Sequence, residues 1–172
     1  MFEIRRTRIS DAATLSVIES SAGQAFLNLP DLAWIAGSEP NPPQLYDFSI
    51  REGYSIVATG SDDVPVGFLN ANQYTDELYI GELSVRYDYQ GKGIGKRLLT
   101  HAIQYATSAR FGAVTLTTFS HVSWNRPFYE RAGFQVIAES EMPGYLKQKR
   151  REEQQNGLCS EKRCAMKLLI NR

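Results

Sequence analysis

Three glycines and two lysines crowd into "QGKGIGK", residues 90–96, just before an apolar-periodic segment that reads as a helix. A glycine inside a helix costs roughly 1 kcal/mol relative to alanine. Gly91, Gly93 and Gly95 therefore mark a place where backbone must come close to something. A helix N-terminus presents unpaired N–H groups and about half a positive charge. Glycines let those groups face an anion with no Cβ in the way, and Lys92 and Lys96 add positive charge at the rim. This is the chemistry of a phosphate cradle; on spacing alone, a glycine-rich turn with solvated lysines also fits. Two other phosphate motifs do not fit. No GxxxxGK[ST] string occurs, "GKGIGKR" lacks the third glycine of GxGxxG, and the following strand, "AVTLTTF", carries no acid.

The elements around this loop follow from periodicity and turn chemistry. "FEIRRTRI" alternates as a first strand, and "SDAATLSVIESSAGQAF" reads as a helix with Ser10 or Asp11 as N-cap and Leu15, Ile18 and Ala22 inward. Residues 27–43 are irregular, hold four prolines and include a short helical turn near 31–36; so long a loop is usually functional. A second helix spans about 43–52 and stops at Gly53. "YSIVAT", "PVGFLNANQY" and "DELYIGELSVR" read as strands, the last with Leu83 and Val85 on one face and Glu82 and Ser84 on the other. After the glycine loop, Ile94, Leu98, Ile103 and Ala106 lie at helical spacing up to a stop at Gly112. "AVTLTTF" is a buried strand, "NRPFYERAG" a short helix opened by Pro127 and closed by Gly133, and "FQVIAE" a strand. "GYLKQKRREEQQNG" reads as a solvated helix and "RCAMKLLI" as the last strand.

The bulk properties bound the function. The 172 residues carry 19 Lys and Arg against 19 Asp and Glu, for a formal net charge of zero. That balance favours neither nucleic acid nor an anionic membrane as partner. No repeat, linker, signal peptide or membrane span is evident, so residues 1–172 read as one α/β domain. Cys159 and Cys164 are too few for a thiolate metal site or a disulfide scaffold, and read as ordinary thiols in a reducing cytoplasm.

Gln90, Gly93 and Gly95 satisfy the pattern Q/R-x-x-G-x-G/A, and on this pattern the chain resembles motif A of the GNAT acetyltransferase superfamily. "ELSVRYDYQGKGIGKRLL" resembles the family's fourth strand, pyrophosphate loop and third helix, and "FYERAGF" the helix and strand entry of motif B. The resemblance implies a GNAT-type acyl-CoA N-acyltransferase fold: an α/β (α+β) domain with a central mixed sheet of six to seven strands flanked by helices. It implies acetyl-CoA as cosubstrate and calls for no metal. The backbone of Gln90, Gly91, Lys92, Gly93, Ile94, Gly95 and Lys96 would hold the pyrophosphate. Leu83, Ser84 and Val85 would pair with the pantetheine arm as an added strand does, where the family's two central parallel strands splay apart.

The resemblance also assigns chemistry. Tyr129 matches the tyrosine that commonly protonates the CoA sulfur, although a buried helix tyrosine can equally be core. A backbone N–H near Val85 would serve the oxyanion. Glu82 would deprotonate the amine directly or through water, or be a plain strand glutamate; His121 and His101 are weaker candidates. Many family members carry an asparagine seven residues before the tyrosine. Here that position is Val122, and Asn125, four residues before, takes its place as the CoA contact. Glu19, Phe26, Leu29 and Trp34 would form an apolar acceptor pocket with one carboxylate, and Trp124 would wall it; Phe26 and Trp34 could instead pin the loop to the core. The expected reaction is acetyl transfer to a primary amine on a small molecule. Protein N-termini or lysines are the alternative acceptors, a non-catalytic CoA-binding module is a third reading, and a homodimer is left open.

Overall fold

The computed structural model describes residues 1–171. Its strands are β1 (Glu3–Arg6), β2 (Tyr54–Thr59), β3 (Pro65–Tyr74), β4 (Glu77–Val85), β5 (Ala113–Phe119), β6 (Gln135–Val136) and β7 (Arg163–Leu169). The helices are α1 (Ala12–Ala22), α2 (Ala33–Ala36), α3 (Asp47–Arg51), α4 (Ile94–Ser108), α5 (Arg126–Arg131) and α6 (Gly144–Gln155). The seven strands form one mixed sheet in the order β1-β2-β3-β4-β5-β7-β6, flanked by helices. β4 and β5 are parallel, in register from Glu77↔Ala113 to Ile80↔Leu116, while β1–β2, β2–β3, β5–β7 and β6–β7 are antiparallel. Among the described residues, no helix is long and apolar enough to cross a membrane.

The chain divides into two compact units. One comprises Met1–Asn72 with Gly81–Gln104, the other Gln73–Ile80 with the residues from Tyr105 onward. In the first, Leu15 and Ile18 of α1 pack with Tyr46, Val57 and Phe68, and burying each such side chain is worth roughly 1.5–3 kcal/mol. Every residue of β2 is buried, which is why "YSIVAT" does not alternate, and its Ser55 hydroxyl is satisfied by Thr7 and Asn70. Near the end of β1, Arg5 pairs with Asp11 at 2.8 Å and with Asp63 at 2.7 Å. Asp11 also accepts the Arg8 N–H at 2.8 Å. Asp11 stands at the N-cap position of α1, as expected, but its side chain makes no cap bond to that helix. The chain coils earlier, in a 3-10 turn over Ile9–Asp11, and the Asp11 side chain closes that turn from within. Ala22 is only half-buried.

In the second unit Tyr79, Met142, Leu146 and Ala165 form the core. Tyr145 stacks on Tyr74 with ring centroids 4.5 Å apart. Its hydroxyl donates to Glu77 Oε2 at 2.6 Å and lies 2.6 Å from the Thr115 hydroxyl. Glu77 is paired in turn with Lys167 at 2.5 Å. Burial first, then the bond to Glu77, pushes the Tyr145 hydroxyl above its ordinary range. Further along α6, Glu153 accepts from Thr117 and Arg163. The helix read as solvated thus buries one face, with Leu146 fully inside. Two other boundaries shift. α4 stops at Ser108, where Arg110 turns left-handed at φ 59°, before Gly112 is reached, and Leu99 and Ala102 are buried while Ile103 is only half-buried. β6 is two residues long. Cys159 is exposed and Cys164 buried, both as free thiols.

Candidate active site

In the first unit the end of β4 runs into a 3-10 turn over Tyr87–Tyr89 and then the glycine loop. The loop is braced at several points. The Arg86 N–H donates to Val66 O at 2.9 Å, the Tyr87 N–H to Ser21 Oγ at 3.0 Å, Gln90 Nε2 to Val85 O at 3.0 Å, and Lys92 Nζ to Asp88 O at 3.1 Å. Lys92 Nζ also sits 4.7 Å from the Tyr89 ring centroid. Gly91 and Gly93 are left-handed, at φ 75° and 79°, a conformation that costs other residues about 1–2 kcal/mol. A Cβ at either position would meet nothing within 4 Å, so the space before them is open.

The first backbone bond of α4 runs from the Arg97 N–H to Gly93 O at 3.1 Å. Among the described residues, the N–H groups of Gly91–Lys96 donate to no other group of the chain. Gly95 differs from its two neighbours in the motif, since it is already in the first turn of the helix. Beneath this turn, a Cβ at Gly67 would meet Ile94 Cγ2 at 3.1 Å and Ser84 O at 3.2 Å. A side chain there would push α4 off β3. The sequence signal was available, because a glycine inside a strand marks a close approach.

The same unit holds a polar cluster. Glu19 accepts from Tyr46 OH at 2.5 Å and from Asn41 Nδ2 at 2.7 Å, and Ser16 Oγ donates to Asn41 O at 2.5 Å. These bonds tie the proline-rich loop to α1. Glu82 accepts from Ser84 Oγ at 2.6 Å, which puts both on one face of β4 as their alternation requires. Burial, then the bond to Glu19, and then the charges of Glu19 and Glu82 raise the Tyr46 hydroxyl well above its ordinary range. Tyr46 and Asn41 were not singled out from sequence, because their partner lies 27 and 22 residues away. Phe26 and Leu29 are half-buried, whereas Trp34 is 48% exposed and so does not pin its loop into the core.

In the second unit α5 presents Tyr129, which is 9% exposed. Its ring stands edge-on to Phe128 at 5.0 Å and to Phe134 at 5.8 Å. The helix ends in a Schellman turn. The Phe134 N–H donates to Tyr129 O at 3.1 Å, the Gly133 N–H to Glu130 O at 3.0 Å, and Gly133 is left-handed at φ 96°. The "Y-x-x-x-GF" spacing is thus a helix stop that fixes the tyrosine.

Asn125 opens α5, and its carbonyl accepts the Phe128 N–H at 2.9 Å. Its Oδ1 accepts from Thr118 Oγ1 at 3.0 Å, while its Nδ2 is buried with no partner among the described residues. A buried amide donor left unpaired costs about 1–3 kcal/mol, so it fits a site completed by a bound acceptor oxygen. Val122 is 2% exposed and belongs to the core. His121, His101 and Trp124 are exposed.

The acetyltransferase (GNAT) family model matches residues 24–134. The chain belongs to the GNAT acetyltransferase family. The peptidyl-lysine N-acetyltransferase YjaB of Salmonella typhimurium is 29% identical to it over 143 residues, covering 83% of this chain and 89% of the relative. The fold of this GNAT acetyltransferase is shared with the ribosomal-protein-S18-alanine N-acetyltransferase of Escherichia coli, at a TM-score of 0.72 and 18% identity, covering 100% of this chain and 96% of the other. It is also shared with the PaiA N-acetyltransferase of Thermoplasma acidophilum, solved in complex with coenzyme A, at a TM-score of 0.69 and 17% identity, covering 99% of each chain.

Proposed function

We propose that this acetyltransferase moves the acetyl group of acetyl-CoA to a primary amine, and that residues 1–172 act as one catalytic domain. The observation that carries the reading is the run of unpartnered N–H groups at Gly91–Lys96, in front of open space and at a helix N-terminus. A pyrophosphate satisfies such donors without further help. Leu83–Val85 would pair with the pantetheine arm, and the buried Asn125 Nδ2 would donate to it. When bound, acetyl-CoA supplies an acyl thioester.

Glu82 would take the proton that the amine sheds as its nitrogen bonds to the acyl carbon. Tyr129 would give a proton to the sulfur as the C–S bond breaks, and the Val85 N–H would stabilise the carbonyl oxygen. Each such proton transfer is worth about 10²–10⁴-fold. Intact loop glycines and Tyr129 support catalysis over a CoA-binding module without activity.

The acceptor reading is a small amine. Its support is the loop of residues 27–43, stiffened by proline and latched to α1 through Glu19, Asn41 and Ser16. A second reading, a lysine side chain of a protein, draws support from YjaB. Release of CoA thiol from acetyl-CoA, followed with a panel of small amines and with lysine peptides, separates the two. Tyr46→Phe and Trp34→Ala should raise the KM for the amine and leave that for acetyl-CoA nearly unchanged. Peptides as the better acceptors, or amine kinetics untouched by both substitutions, would defeat the small-amine reading.

A further inference from the structure

β6 and β7 are antiparallel neighbours, yet residues 137–162 separate them in sequence. Hairpin connections usually take two to five residues, so this one carries something besides a turn. One face of its helix α6 is committed to the core through Tyr145, Leu146 and Glu153. The other face displays Lys147, Arg150, Arg151 and Gln154, at the i, i+3, i+4 and i+7 positions that share one side of a helix.

With Glu139 and Ser160 from the flanking 3-10 turns, these side chains line a recess of about 200 Å³. Arg150 reaches across it, its Nη2 donating to Ser160 O at 2.8 Å and Ser160 Oγ at 3.1 Å. Its Nε–H is buried and has no partner among the described residues. Among the described residues, Arg151 bonds only to Gln148, within its own helix, at 2.8 Å. The Lys147 ammonium has no partner among the described residues. Three cations, Lys147, Arg150 and Arg151, thus border one recess against the single carboxylate of Glu139.

We propose that this recess is a second anion site, built from residues other than the Gln90–Lys96 loop, and that its ligand is a small molecule bearing a phosphate monoester. A phosphate monoester carries up to two charges and several acceptor oxygens, which suits three cations approaching from separate points. A single carboxylate would leave some of these donors idle. Glu139 accepts from a hydroxyl on the body of the ligand. The site does not depend on the acetyl-transfer reading, since the second unit supplies all of it.

The test is a titration of ¹⁵N-labelled full-length protein with inorganic phosphate at constant ionic strength, followed by amide shifts. Saturable shifts should appear across residues 139–160. The Lys147→Gln/Arg151→Gln double variant removes two cations that make no core contact, and should weaken binding about tenfold or more. Amides of residues 91–96 report phosphate in the glycine loop separately in the same spectra. In parallel titrations glycerol 3-phosphate should bind more tightly than malate. Shifts confined to the glycine loop, an unchanged response in the double variant, the same response to chloride, or tighter binding of malate would each overturn the proposal.

Discussion

Replacing Gly93 by alanine separates the loop's two tasks, holding its own shape and receiving an anion. In the free protein a Cβ at this position meets nothing within 4 Å, so no clash contributes and the cost is the left-handed φ of 79° alone. That cost is about 1–2 kcal/mol. At about 2–4 °C per kcal/mol for a chain of this size, the melting temperature should fall by about 2–8 °C. Gly91→Ala, at φ 75° and with equally open space, should fall by the same amount.

Binding should suffer more than stability. The new methyl projects into the volume a phosphate oxygen needs in order to reach the unpartnered N–H groups. Each charge-assisted bond lost is worth about 1.5–3 kcal/mol, or about tenfold to a hundredfold in affinity. Titration calorimetry with CoA, alongside thermal unfolding, reads both quantities. Gly93→Val should abolish measurable binding. Affinity unchanged in Gly93→Ala and Gly93→Val, with the protein folded, would refute the cradle.

Other predictions follow from single groups. Tyr129→Phe should keep the melting temperature and CoA affinity but lower kcat about 10²–10⁴-fold; undiminished turnover, with chemistry rate-limiting, would leave Tyr129 as core. Asn125→Ala removes the unpaired Nδ2 and should raise the KM for acetyl-CoA about tenfold, so an unchanged KM would count against that contact. For Asp11, burial alone would raise the carboxyl. The bonds from Arg5 and from the Arg8 N–H outweigh burial and hold it below its ordinary value. Its contribution is therefore fully present above about pH 4 and is lost as pH falls through the lower folded-state value. Asp11→Asn should cost about 1–3 kcal/mol at pH 7 in urea unfolding, and the gap from wild type should narrow in acid; a gap independent of pH would contradict the assignment.

What could be read from the chain in advance was mostly local. The glycine loop, the period of α4 and the stop at Gly133 are written in neighbouring residues, so they were legible. Which of the loop's glycines turn was less so, because the family pattern names Gly93 and Gly95, yet it is Gly91 and Gly93 that hold left-handed backbone. Glu19 was singled out, but its partners Asn41 and Tyr46 were not, since they meet it only after α1 and the segment before α3 fold together. β6 was overdrawn because "FQVIAE" has strand composition, while the ladder holds Gln135 and Val136, opposite Lys167 and Met166, and is followed by a single bond from the Ile137 N–H to Ala165 O. The inner face of α6 was hidden by its charged residues: Glu153 and Lys149 look solvated until Arg163, Thr117 and Tyr74 are brought to them.

The bracing of the glycine loop bears on the pace of repeated turnover. Gln90, Lys92 and the seat at Gly67 hold the loop's donors in place before any ligand arrives. Those donors would grip a pyrophosphate, the portion of the cosubstrate that the reaction leaves untouched. Binding energy spent there is uniform: it favours substrate, transition state and spent carrier alike. Free CoA should therefore compete with acetyl-CoA at comparable concentrations, and its departure should set the steady-state rate once the amine is saturating. Assays that let the thiol accumulate will understate the enzyme, whereas trapping it as it forms should keep progress curves straight.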